Sequence, residues 1–80
     1  MIIDWVVSAA SNAILVMNAD RFVSGQKLDI WTPVKDTTCP GDCLGSVVVE
    51  TIDKLYSVVW TVGKVPADTI PGCVLLAPGA

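Results

Sequence analysis

Apolar and polar residues alternate along most of this chain with a period of two, the spacing of a β-strand that buries one face. From Ile2 to Ala9 the alternation sets Ile3, Trp5, Val7 and Ala9 on one side and Asp4 and Ser8 on the other. Ala10, Ser11 and Asn12 supply a turn, and Ala13 to Asn18 reads as a second strand hairpinned to the first. Asn18-Ala19-Asp20 and Ser24-Gly25 are turn signals around a short Phe22-Val23 element. Lys27 to Val34 alternates again, with Leu28, Ile30, Thr32 and Val34 on one face and Lys27, Asp29 and Trp31 on the other. Lys35 to Cys43 is a polar loop with Pro40-Gly41 at its tip. Leu44 to Ile52 and Leu55 to Val62 are β-branched strands joined through Asp53-Lys54, which predicts a hairpin. Gly63 to Gly72 is a proline-containing connection, and Cys73 to Ala77 is apolar on both faces, as in a strand covered on both sides. No window sustains a helical period. Six short strands spaced by turns predict an all-β fold, a small six-stranded antiparallel barrel or sandwich with residues 1–80 as a single β domain.

The same alternation assigns the tryptophans. Trp60 shares a strand face with Tyr56, Val58 and Val62, and Trp5 shares one with Ile3 and Val7, so both are expected in the core. Trp31 lies opposite Leu28 and Ile30, on the outer face with Lys27 and Asp29. A tryptophan on the polar face of a strand is either covered by the chain's own loop or is an interface anchor. Trp31, Asp29 and Lys27 are therefore the interface candidates.

Composition sharpens that expectation. Hydrophobic residues make up 52% of the 80 and charged residues only 16%, against an average charged share near 25%. Mean hydropathy is +0.62. A domain this small has a limited core, so some of the apolar residues are expected against other subunits. Strand edges left open would add to the tendency to associate.

The net charge is −3 and the isoelectric point about 4.4. Arg21, Lys27, Lys35, Lys54 and Lys64 lie scattered, whereas phosphate binding depends on clustered cations. Nucleic acid is thus not an expected partner. Neither is anionic lipid, and no stretch has the roughly 18–20 apolar residues of a spanning helix. The apolar stretch from Met1 to Asn18 lacks a basic start and carries Asp4, so it reads as strands rather than a signal peptide. If Met1 is the native start, the protein is made in the cytosol.

The segment Asn18-Ala19-Asp20-Arg21-Phe22-Val23-Ser24-Gly25-Gln26-Lys27-Leu28-Asp29-Ile30-Trp31 follows a strand with a short turn, a hydrophobic residue, a glycine and a new strand. Leu44-Gly45-Ser46-Val47-Val48-Val49 and Ile70-Pro71-Gly72-Cys73-Val74 fit that arrangement. In this the chain resembles the small β-barrel modules at the C-terminus of flagellar T-ring-type envelope proteins. The resemblance implies a barrel, and an interaction module of bacterial envelope machinery.

Candidate chemistry is sparse. Cys39, Asp42, Cys43 and Cys73 could offer three sulfurs and an oxygen to a metal, but structural zinc sites show two paired knuckles and this chain has one pair and no histidine. Cys39 and Cys43 could close a small disulfide loop across Pro40-Gly41-Asp42; their spacing is one residue longer than that of the usual redox dithiol. No histidine is present to activate Ser8, Ser11, Ser24, Ser46 or Ser57, and Asp36-Thr37-Thr38 and Asp68-Thr69-Ile70 lack the glycine of an aspartic-protease motif. No glycine-rich phosphate loop occurs. Neither an enzyme nor a cofactor or metal is expected.

The expected function is that of a non-enzymatic structural subunit packed into a larger assembly with its own or other protein subunits. The form expected first is a small phage virion protein (capsid-decorating, cement or tail) made in the host cytoplasm; the alternative is the envelope module. A small-ligand binding protein with Trp31 lining its pocket is a third class. One prediction follows from the cysteines alone. A disulfide across so short a loop restrains little unfolded-chain entropy, so Cys39→Ser/Cys43→Ser should change unfolding free energy by no more than about 2 kcal/mol in urea titration.

Overall fold

The computed structural model describes residues 2–33 and 41–77. Six strands close into one barrel: β1 (Ile2–Ala9), β2 (Ala13–Val16), β3 (Lys27–Trp31), β4 (Cys43–Asp53), β5 (Val58–Val62) and β6 (Val74–Leu76). Around the ring they stand in the order β1-β2-β5-β4-β3-β6, every neighbour antiparallel. Strands β3, β4 and β5 form a meander, and β6 returns beside β3, which makes a Greek key. Of the two folds predicted, the barrel is the one formed. Among the described residues closure leaves no open strand edge, so the expectation that open edges promote association is corrected.

The connections fall at two ends. Residues 10–12 and 63–73 cross the upper end; residues 17–26, with a 3-10 turn at Ala19–Arg21, and 54–57 cross the lower. The interior holds small branched side chains: Val6, Ile14, Val16, Leu28, Ile30, Val47, Val49, Val59 and Leu75 are all at most 4% exposed. Phe22, from the lower connection, and Val65, from the upper, join the same cluster and plug the ends.

Closing so few strands demands sharp curvature, which β-bulges provide. Register shifts occur between Ile2 and Asp4, Val6 and Ser8, Ile30 and Trp31, and Val49 and Thr51. Each alters the phase of the alternation. Val7 and Ser8 both face outward, as do Glu50 and Thr51.

Strand β1 corrects the sequence-based assignment of its faces. Asp4 and Val6 point inward, fully or nearly buried, while Trp5 and Val7 are about 40% exposed at 44% and 40%. The cause is the Asp4 carboxylate. Its Oδ1 accepts from the Trp5 N–H at 2.7 Å and its Oδ2 from the Asn18 N–H at 2.8 Å. Asn18 is the cap of the 3-10 turn, its own side-chain oxygen accepting from Asp20 N–H at 3.0 Å. One buried acid therefore ties the first strand to the turn that leaves β2. Arg21 reinforces the corner by donating to the Ile3 carbonyl at 2.9 Å.

The hairpin from β4 to β5 also differs from expectation. Its turn spans Lys54 to Ser57 rather than two residues, so Leu55 and Tyr56 lie in the turn. The Asp53 carboxylate accepts from both Leu55 and Tyr56 N–H, at 3.0 and 3.2 Å, and Ser57 adopts φ +57°. An acidic side chain that bonds the backbone two and three residues on offers the chain a turn in place of the strand ladder. Phe22-Val23 forms no strand; it follows the 3-10 turn. Val34, expected on the inner face of β3, lies outside the described residues.

Asp4→Ala removes the carboxylate that accepts from the part-buried Trp5 and Asn18 N–H groups, each bond worth about 1–3 kcal/mol. Unfolding free energy should fall by about 2–4 kcal/mol in urea titration. Asp4→Asn, which keeps one acceptor oxygen, should lose roughly half as much. Equal losses for the two variants would show that the carboxylate does not hold this corner.

Candidate functional site

All three tryptophans lie on the outside of the barrel wall. Trp60 is 41% exposed, which overturns its assignment to the core. Val58, Trp60 and Val62 do share one face of β5, as the alternation requires, but that face is the outer one. Inside, β5 contributes Val59 and Thr61, whose hydroxyl donates to the Gly63 carbonyl at 3.0 Å. The strand's one polar residue is thus turned inward and its apolar residues outward. Trp5 repeats the inversion, opposite the buried Asp4.

Trp5 and Trp31 belong to one cross-strand row. Trp5 is paired with Val74, and Val74 with Trp31. Val74 is 1% exposed yet stands apart from the core cluster that holds its neighbours Cys73 and Leu75. It is an outward residue flanked in register by the two indoles. This matches the expectation of a last strand apolar and covered on both sides. Carried one residue past the Val6–Val16 pair, the register brings Met17, 66% exposed, alongside Trp5.

A shallow apolar groove of about 270 Å³ runs beside Trp60, lined by Ala9, Ala13, Leu15 and Val58, with Ser8 its polar side chain. Ala13 and Thr51 are the cross-strand partners of Trp60. A second cleft of about 350 Å³ lies at the upper end between the β1–β2 turn and the connection to β6, lined by Ser11, Lys64, Pro66 and Thr69 among others. Small-molecule sites usually measure about 300–1,000 Å³ and hold several convergent polar groups. The Trp60 groove offers one hydroxyl, and Trp31 lines neither cleft.

The interface candidates all face outward on β3, but they do different things. Trp31 borders the Val74 row; Asp29 accepts a hydrogen bond from the Ser46 hydroxyl at 2.7 Å; Lys27 is exposed opposite Val48. Outward charge on the strands is carried by Lys27, Asp29, Glu50 and Asp53, on β3 and β4, with Asp53 paired to Val58. The outer faces of β1, β2, β5 and β6 carry none.

The sulfur candidates are not brought together. Cys43 is exposed on the outer wall, in register with Trp31, whereas Cys73 is buried inside the barrel. Cys39, and with it the Cys39–Cys43 disulfide, lies outside the described residues. Among the described residues no group of three metal-binding side chains converges, and no helix is long and apolar enough to cross a membrane.

No family model, no curated protein and no solved structure matches this chain.

The exposure of the tryptophans separates their energetic roles. Trp60→Ala should lower unfolding free energy by less than about 1.5 kcal/mol, because the side chain already keeps much of its surface in water. Leu75→Ala, at a fully buried position, should cost about 2–5 kcal/mol. Urea titration of both variants distinguishes wall from core; a larger loss at Trp60 would place that indole in the core after all.

Proposed function

We propose that this protein is a non-enzymatic structural subunit that works by packing its barrel wall against other protein subunits. The observation that carries this is the uncharged outer face of four of the six strands, set with Trp5, Val7, Leu15, Val58, Trp60 and Val62. Monomers rarely leave large contiguous apolar patches in water, and buried tryptophans are among the strongest anchors of protein interfaces. Ring closure supports the same reading, since association must then run through side chains rather than strand pairing. The particular form we put forward is a small virion protein of bacteriophage type (capsid-decorating, cement or tail). Small size, an acidic net charge and a docking wall without free edges suit a part added to a preformed lattice.

The test is the mass of the native complex purified from its source under non-denaturing conditions. The expected result is a particle far heavier than the 8.4 kDa chain, containing capsid or tail proteins in the virion case. A chain that purifies alone at 8.4 kDa at every concentration would overturn the structural role. A heavy particle without such proteins would overturn the virion form.

A further inference from the structure

We propose that the cleft at the upper end of the barrel binds a carboxylate carried on a short apolar body, held by Lys64, Ser11 and Thr69. The inference goes beyond the packing reading and uses none of the outward tryptophans.

Two segments build the cleft, and backbone bonds hold both in place. Residues 10–12 turn from β1 into β2, with the Ala10 N–H donating to the Ala13 carbonyl at 2.8 Å. Residues 66–69 form a turn closed by the Thr69 N–H on the Pro66 carbonyl at 3.0 Å. A third bond joins the two segments, the Val65 N–H donating to the Ser11 carbonyl at 2.8 Å. The Pro66 ring lies against Gly45 of β4, where an added Cβ would stand 3.2 Å from its Cγ. The space between the segments, about 350 Å³, is thus pre-formed. Small molecules favour pre-formed sites of about 300–1,000 Å³, barrel mouths among them.

The lining divides by chemistry. Ala9, Ala10, Val65 and Pro66 give an apolar bed, Ser11 and Thr69 give hydroxyls, and Lys64 gives the one charge. Lys64 is exposed and stands outside the one ion pair of the described residues, which joins Lys54 to Asp20. Asp68, the acid of the same connection, is exposed and does not line the cleft. Thr69 points to a ligand independently. Its Oγ1 is buried without a hydrogen-bond partner, alone in this among the described residues, and an unmet buried hydroxyl is destabilising. Rotation about χ1 carries a threonine hydroxyl from one staggered position to another. An acceptor seated in the cleft therefore gains this donor, whereas the chain by itself leaves it unmet.

The donor set selects the ligand. One ammonium and two hydroxyls match a single negative charge spread over two acceptor oxygens. A phosphate is ordinarily met by clustered cations or an arginine fork, and the cleft has neither. The apolar bed takes the hydrocarbon part. Both a free small acid and the C-terminal end of a peptide present this chemistry.

The test is titration of the pure, isotopically labelled chain, read by amide NMR shifts with two pairs of probes. Hexanoate against hexanamide represents the free acid, and N-acetyl-leucine against N-acetyl-leucinamide the chain end. The acids are expected to move the signals of Ser11, Lys64 and Thr69, the better one with a dissociation constant of about 1 mM or below. The amides, which lack the charge, should bind at least about 5-fold more weakly. The tighter acid identifies the source. Lys64→Gln and Thr69→Val should each weaken its binding about 5-fold. Removing an unpartnered hydroxyl should also leave the melting temperature of the ligand-free Thr69→Val chain unchanged or raised. A lowered melting temperature at unchanged affinity would show the hydroxyl serving the fold, and would overturn the site. So would amides that bind as well as the acids, or acids that leave the three signals unmoved at about 10 mM. None of these outcomes bears on the mass of the native complex, which tests the structural role separately.

Discussion

The bore of the barrel governs the rest of the structure. An eight-stranded barrel is just wide enough for side chains to fill its interior, and this ring has six strands. Its inside is filled mainly by valine, isoleucine and leucine side chains, with Phe22 admitted at one end. An indole has no place there. All three tryptophans are therefore on the wall, and the chain's high apolar content is divided between a small core and an apolar exterior.

That division explains the two inverted strands. In β5 the inner positions go to Val59 and Thr61, small enough to fit, and the outer ones to Val58, Trp60 and Val62. In β1 an ionisable side chain occupies the interior because it finds two backbone donors there. The carboxylate of Asp4 costs desolvation, which its hydrogen bonds to Trp5 and Asn18 offset, since bonds to a charged acceptor are stronger than neutral ones. The result is a polar clasp at the lower end, where the first strand and the exit from the second must meet before the ring can close. The bulges complete the closure by letting β1 and β4 bend without breaking their ladders.

Much of the fold was legible in the sequence, and the failures share one cause. The six strands stand near the places the alternation marks, and Leu28 and Ile30 point inward as their spacing requires. The alternation also grouped Val58, Trp60 and Val62 correctly. It could not say which side of the sheet was inside, because both faces of β5 are apolar. Apolar neighbours on the same strand face assign Trp60 and Trp5 to the core, and in a narrow barrel an apolar face with a large side chain turns outward instead. Asp4 misled in the same way, a charged residue being rarely buried unless paired. A signal was present: Asn18 and Asp20 mark a capped turn close to the site where a buried acceptor is needed. The Glu50-Thr51 and Val7-Ser8 bulges left no trace beyond a break in phase, because a bulge is set by curvature and not by residue type. The Leu55-Tyr56 turn was missed because those residues favour strands, and Asp53 overrides them by bonding their N–H groups.

The proposed function rests on the same geometry. A narrow barrel that must place its large apolar side chains outside can remain soluble only by covering them or by confining them. Here Trp5 and Trp31 flank the buried Val74 but remain partly uncovered themselves, and charge is concentrated on the end connections and on the β3–β4 sector. Confinement is thus complete and cover is partial. The wall keeps a polar sector that can face water and an uncharged belt that gains free energy only when another surface meets it. Among the described residues the ring leaves no open edge along which strands could add without limit. Contacts must then be made by side chains of fixed position, and fixed side chains select partners by shape. On the proposed reading, a barrel of this bore serves as a building part, its large apolar side chains displaced from a narrow core onto a wall that another subunit covers.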